Sequence, residues 1–319
     1  MWKYCLKKFL EVVVVIILIS FFSFAIIYIA PGDVSINYIK NGMSVEQREE
    51  IRRQLGVNKS FPEQYFAWAK KIMRGDFGVS YANKSPVISQ IAKRLPATII
   101  LMGTALALSI LISIPLGLWA GYKKNTLVDY IISILTYIGK AIPEFALGMF
   151  LVLVFSSKLH LLPSSGMHTV GIKSFSDMLR HLILPCSTLC LGMVATYIRY
   201  IRTNTIDQLK EEYVVTALAT GNSKYQILRN YILKNTLLPV ITLLGMNLAE
   251  VVTGSFVIET VFGWPGIGTL VMEATKTRDY PIIMAFILLS GTILVIGNNL
   301  ADILYAFIDP RIRRESKNE

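Results

Sequence analysis

The residues able to do chemistry in this chain are few, and most lie inside or beside long apolar runs. Lys140 and Glu144 are four apart around Pro143, a spacing that would set both on one helical face where they could pair. Asn247 and Glu250 fall within a later apolar run, and Asn298, Asn299 and Asp302 near the end of the last one. Such side chains are expensive in lipid and face a bundle interior or a water-filled path. Two readings follow. Either Glu250, Asn247 and Glu144 line a translocation pathway, or Lys140 and Glu144 neutralise each other while the rest tie helices together. His160, His168 and His181 cluster in or beside one connection, with Asp177 the one acid among them. No two have tight ligand spacing, so no metal site is expected. No nucleophile–base arrangement is present either, so catalytic residues are not expected and the chain reads as a non-enzyme. Cys186 and Cys190 share a helical face and Cys5 precedes the first run; without a C-x-x-C pair, they read as small packing residues. No G-x-x-x-x-G-K-[ST] phosphate loop occurs, so the chain is expected to bind no nucleotide or other cofactor itself.

The elements that must hold these residues are membrane helices. Apolar residues make up 53% of 319 positions and charged residues only 17%, a balance foreign to a soluble domain. Six runs are long enough to cross a bilayer, near 9–30, 96–120, 130–155, 181–200, 236–258 and 281–307. Pro115, Gly117, Pro143, Pro185 and Gly254 interrupt them, as membrane helices allow when neighbours satisfy the freed backbone. The net charge of +11 raises nucleic acid as a partner, but the basic residues lie mainly in connections between runs, so none is expected. On one side stand Lys3, Lys7, Lys8, Lys123, Lys124, Arg199, Arg202, Lys210, Lys224, Arg229, Lys234, Arg311, Arg313, Arg314 and Lys317. On the other are Lys158, Lys173, Arg180, Lys276 and Arg278. Fifteen against five predicts both termini in the cytoplasm; residues 31–95 are left out, because long loops cross largely regardless of charge. The first run has Tyr28 where a cleavage site wants a small residue, and Pro31 follows, which favours an uncleaved anchor.

Two stretches outside the runs carry pattern. Between 31 and 95, Glu46 to Leu55 has helix-like charge spacing, and Pro62 opens a second helical stretch with Tyr65, Phe66, Trp68 and Ala69. These predict a small external helical cap. Between Ile201 and Asn235, Ile206, Leu209, Tyr213, Ala217 and Leu218 form one stripe, with Asp207, Lys210, Glu211 and Glu212 opposite. Gly221 provides a left-handed stop, and Asn222 or Ser223 can cap a second helix with apolar positions Ile227, Leu228, Tyr231 and Ile232. Ala217, Ala219 and Gly221 at the corner would allow close backbone approach by another protein.

Thr253 to Gly268 reads Thr-Gly-Ser-Phe-Val-Ile-Glu-Thr-Val-Phe-Gly-Trp-Pro-Gly-Ile-Gly, and Arg278-Asp279-Tyr280-Pro281 closes the segment. With Pro31-Gly32-Asp33, Leu95-Pro96-Ala97-Thr98, Thr216 to Gly221, Leu238-Pro239, and Asp302-Ile303-Leu304-Tyr305-Ala306 leading to Asp309-Pro310-Arg311-Ile312-Arg313, this pattern resembles the permease subunits of the dipeptide/oligopeptide/nickel class of ABC importers. Val215 and Thr216 stand where many other importers begin the coupling motif Glu-Ala-Ala, a departure usual for this class. The resemblance spans nearly the whole chain. It implies an all-α polytopic membrane protein of about six transmembrane helices with the type I permease fold, in the cytoplasmic membrane. Its divisions would be 1–30 (N-terminus and first helix), 31–95 (external helical loop), 96–308 (a five-helix core with coupling segment 201–235) and 309–319 (a cytoplasmic tail). It implies as partners a second homologous permease, two cytoplasmic ATPases using ATP and Mg, and an external binding protein. Glu212, Thr216, Ala217, Ala219, Gly221, Asn222 and Ser223 would couple to the ATPase, and Trp264, Pro265, Gly266 and Gly268 would form an external loop motif. Peptides are the expected substrate, with nickel or another metal complex as the alternative. A proton-coupled secondary transporter relaying through Glu250, Glu144 and Asp302 is a further alternative, opposed by the absence of an internal repeat.

Overall fold

The computed structural model describes residues 2–29, 43–55, 58–237, 240 and 251–308. Asn247, Glu250, Pro31-Gly32-Asp33, Leu238-Pro239 and Asp309-Pro310-Arg311 lie outside them. Among the described residues the chain is helical without a named strand: α1 Trp2–Ile29, α2 Val45–Leu55, α3 Phe61–Ile72, α4 Val87–Tyr122, α5 Leu127–Ala141, α6 Glu144–Leu151, α7 Phe175–Gln208, α8 Glu212–Ala219, α9 Lys224–Ile227, α10 Phe256–Val261, α11 Ile267–Thr277 and α12 Tyr280–Ile308. α6 and α9 each run on into wider π-helical turns, Val152–Lys158 and Leu228–Ile232.

Four described helices are long and apolar enough to cross a membrane, within α1, α4, α7 and α12; a bent pair, α5 with α6, makes a fifth if counted as one span. The apolar run 130–155 is therefore not one helix, and its two halves meet at 95°. The cause is local. Pro143 disfavours helical backbone at Ile142, which sits extended at φ −78° and ψ 123°. The helices that carry the second and fourth runs are longer than those runs. α4 starts at Val87 through polar residues, and α7 continues past Arg199 to Gln208, because a helix need not stop where lipid stops.

The chain divides into two compact units, 1–94 with 270–296 and 95–269 with 297–319. In the first, α3 packs on α1 through rings: Phe24 lies 5.6 Å from Phe61, 5.7 Å from Tyr65 and 5.4 Å from Trp68. The Tyr65 hydroxyl meets that of Ser20 at 2.9 Å. Glu63 accepts from the Ser60 backbone and hydroxyl at the start of α3, and the hydroxyl foremost holds its carboxyl below the usual range. Gly291 on α12 meets α1 so closely that a Cβ would stand 2.7 Å from Ile19. The buried Asp279 accepts from the Ser80 hydroxyl, from Tyr81 N–H at 3.0 Å and from Ala82 N–H at 3.2 Å, pinning the turn before α4.

In the second unit, α4 and α7 meet along Gly117 and Gly121, one turn apart. A Cβ at Gly117 would stand 2.7 Å from Ile201, and one at Gly121 2.6 Å from Thr205. Small residues at this spacing let membrane helices approach closely. α5 packs on α7, where Gly139 faces Leu191 and Ala195. Ala97, Leu101 and Ala105 of α4, Leu182 and Leu189 of α7, and Ile258, Phe262 and Trp264 form the main core. By contrast Ile131, Ile134, Leu135 and Ile138 of α5 are exposed, an apolar surface suited to lipid.

Candidate functional site

Two constructions emerge, an elbow after α7 and a knot around a buried carboxylate. The elbow begins where α7 stops. The turn Leu209 to Glu211 breaks the stripe read from Ile206 to Leu218, so Ile206 and Leu209 belong to α7 and its following turn, while α8 holds only 212–219. The polar residues Lys210 and Glu211 sit in that turn, and Val214 N–H bonds to Glu211 O at 3.0 Å to start α8. Gly221 follows at φ +85°, a left-handed stop. Asn222 bonds back to Ala217 O through both its backbone N–H at 3.2 Å and its side chain at 3.1 Å. Ser223, not Asn222, caps α9: its hydroxyl accepts from Gln226 N–H at 3.3 Å, and Gln226 Oε1 accepts from Ser223 N–H at 2.8 Å.

Val214, Ala217, Ile227 and Ile232 close the inner side of the elbow. Ala217 thus faces inward, and its small size serves the packing of α8 on α9 rather than an outer contact. Glu212, Val215, Thr216, Leu218, Ala219, Gly221, Ser223 and Tyr225 are exposed. Val215, Leu218 and Tyr225 offer large apolar groups to solvent at 61%, 51% and 69% exposure. The elbow is satisfied internally by its caps, and its outer face sets these apolar groups beside the exposed Glu212, Thr216 and Ser223.

The knot lies at the Trp264-Pro265-Gly266 loop. Glu259, on α10, is fully buried, and a carboxylate there must find hydrogen bonds. The Thr98 hydroxyl donates to Glu259 Oε1 at 2.8 Å, and Thr269 N–H to Oε2 at 3.2 Å. Thr98 also accepts Ile267 N–H at 2.8 Å, so one hydroxyl and one carboxylate satisfy two orphan donors at the start of α11. Trp264 is wholly buried, and its indole N–H donates to Ala97 O at 2.8 Å. Three glycines make room. A Cβ at Gly254, where φ is +77°, would stand 2.5 Å from Glu259 Oε1, and side chains at Gly266 and Gly268 would also overlap the carboxylate. The segments Leu95 to Thr98 and Thr253 to Gly268, far apart in sequence, are thereby one structure.

Glu259 and Thr98 were legible only as members of motifs, not as a buried pair. The same holds for Asp129, whose carboxylate receives Arg202 Nε at 2.5 Å and Nη2 at 2.8 Å. Asp129 is 2% exposed and also accepts Asn125 N–H at 2.9 Å, so it locks α5 to α7. Arg202, read from the sequence as one of many cytoplasmic cations, is half of this pair.

Other candidates are dispersed. Lys140 lies in the last turn of α5, and Glu144 opens α6 beyond the bend, so they share no helical face, and no ion pair joins them among the described residues. Glu144 is exposed with its carboxylate against Gly192, where a Cβ would stand 3.1 Å from Oε1. Asp177 draws His168 and His181 together at 3.4 and 3.7 Å, and His181 Nδ1 meets Gly166 O at 3.1 Å, so these side chains staple the connection before α7. Cys186 and Cys190 are buried and unbridged.

Comparison with known proteins decides the family. Residues 113–314 match the model of the binding-protein-dependent transport system inner membrane component, and residues 1–102 match its N-terminal companion. The chain belongs to that family of transport permeases. The Bacillus subtilis (strain 168) oligopeptide transport system permease protein AppB is 37% identical over 314 residues, covering 98% of this chain and 99% of AppB. The Escherichia coli (strain K12) glutathione transport system permease protein GsiC is 33% identical over 313 residues, covering 98% and 99%. Family membership makes the protein an integral membrane permease with the type I fold. The knot, the elbow and the Asp129–Arg202 lock all fall within or at the edges of the matched segments.

Proposed function

We propose that this chain is the permease subunit of an ATP-driven ABC importer that moves peptides across the cytoplasmic membrane. The carrying observation is the end-to-end similarity to an oligopeptide and a glutathione permease, with an elbow of the right build to meet an ATPase. On this reading a second, homologous permease completes the pathway, two cytoplasmic ATPases dock on the outer face of α8 and α9, and an external binding protein delivers substrate. ATP and Mg act on those ATPases. The fifteen-to-five distribution of basic residues supports both termini inside. Motion of a docked ATPase would reach α7 through the short turn at 209–211 and be passed to α5 by the Asp129–Arg202 lock. Asn247, Glu250 and Glu144 remain the candidate pathway groups. Exposure of Glu144 at the bend between α5 and α6 supports its place there.

The test is uptake of labelled oligopeptides into vesicles carrying the chain with its partner subunits. Peptide uptake should need ATP and the ATPases. Uptake driven by a proton gradient without them would sink the reading, and accumulation of nickel in place of peptide would move it to the metal branch of the class.

A further inference from the structure

A polar cleft of about 130 Å³ opens between α5 and α7, lined by Ser133, Thr136 and Tyr137 on one helix and by Ile198, Arg199 and Thr203 on the other. Its two guanidinium groups differ. Arg202 is spent on Asp129, which occupies its Nε and Nη2. Arg199 pairs with no carboxylate among the described residues; it lies over the Tyr137 ring, 5.6 Å from the centroid. A cation held on an aromatic face at a cleft mouth keeps its N–H donors available and is oriented before any ligand arrives. The hydroxyl of Thr136 is turned to Ser133 O at 2.7 Å, whereas those of Thr203 and Tyr137 form no hydrogen bond among the described residues.

The position matters as much as the chemistry. Arg199 ends the apolar run 181–200 on α7, and α7 continues in polar residues to Gln208. The α5 surface beside Tyr137 exposes Ile131, Ile134, Leu135 and Ile138. Fixed cationic donors therefore sit where a lipid phosphate would lie, with apolar surface beside them for acyl chains. Basic pockets between membrane helices take anionic headgroups in this way. We infer that Arg199 and Tyr137 form a site for the phosphate of an anionic phospholipid. Its placement in the inner leaflet rests on the orientation proposed above; its existence does not.

The full-length protein, purified in mild detergent and offered a mixture of phosphatidylglycerol and phosphatidylcholine, tests this by native mass spectrometry of retained lipid. Loss of one interfacial cation corresponds to about fivefold in retention, so wild type should retain phosphatidylglycerol in that excess and Arg199→Gln should bring the two lipids to parity. Lys173→Gln, at an exposed loop position, should leave the excess intact, and the thermal midpoint of Arg199→Gln should match wild type because the side chain is exposed. Unchanged preference in Arg199→Gln overturns the site. In a second arm, inorganic phosphate is added to the same preparation. Displacement of lipid at millimolar phosphate would assign the cleft to free phosphate and overturn the lipid assignment; undisturbed lipid supports it. Displacement by a peptide carboxylate, lost in Arg199→Gln, would make it a substrate site and overturn it too. Because lipid retention is read without transport, failure here leaves the importer reading untouched, and failure of peptide uptake leaves this site untouched.

Discussion

The knot at Glu259 and the elbow of α8 and α9 solve opposite problems with similar means. Both turn the chain sharply at a glycine of positive φ, Gly254 in one and Gly221 in the other. In the knot, a Cβ on Gly254 would strike Glu259 and Thr98, whereas nothing lies within 4 Å of one on Gly221. The knot uses a glycine because space is filled, the elbow because the backbone must bend. A buried carboxyl group with its donors fixes one shape, since every alternative leaves buried polar groups unsatisfied. The elbow is held by a serine cap and four small or aliphatic buried residues, and leaves its outer face open. One region is closed on itself, and the other keeps large apolar side chains on an open face.

Breaking the knot should therefore cost most. Glu259→Ala strands the Thr98 hydroxyl and Thr269 N–H and should destabilise by about 2–6 kcal/mol, because each buried donor left without its acceptor costs about 1–3 kcal/mol. Thermal unfolding in detergent, followed by tryptophan fluorescence to which the buried Trp264 contributes, reads this. A midpoint near wild type would show that the carboxylate does not hold the loop. Next comes the α4–α7 crossing: Gly121→Val places side-chain atoms on Thr205 and the Arg202 carbonyl and should cost about 1–3 kcal/mol by overpacking. It should be seen as a lower yield of folded protein, and full yield would mean the two helices are free to separate.

The elbow should behave differently. Leu218→Glu changes an exposed residue and should leave stability within about 0.5 kcal/mol, yet abolish ATP-dependent uptake if an ATPase covers that face. Ala217→Glu buries a charge beside Ile227 and Ile232 and should instead lower the amount of folded protein, so the two variants separate contact from packing. Wild-type uptake by Leu218→Glu would remove α8 from the coupling surface. The smallest effect is at the cap: Ser223→Ala should cost about 1 kcal/mol and reduce coupling only in part, as judged by the ratio of transport to ATP hydrolysis. Orientation is checked apart from these, with cysteines at Ser316 and Lys59. The first should label only in opened cells and the second in intact ones, and the reverse would place the elbow outside.

The sequence by itself determined the class, the family pattern and most of the helices, because apolar length and basic asymmetry are properties of composition along a line. It also placed the turn at Gly221 and narrowed the cap to Asn222 or Ser223, which depend on neighbours within four residues; the structure chose Ser223. It misjudged 130–155, where hydrophobicity continued through Pro143 although backbone sterics at Ile142 did not allow one helix. It read Ala217 as a contact residue because it is small and near the Gly221 corner, whereas the structure buries it between α8 and α9. What only the tertiary structure decided are the long-range pairs: Thr98 with Glu259, Asp129 with Arg202, Ser80 with Asp279. Their partners are separated by 161, 73 and 199 residues, and no local periodicity encodes such a meeting. A polar residue beside an apolar run needs a partner if it is to be buried, because an unpaired one is too costly; whether it is buried, and which partner it receives, is settled when the helices pack.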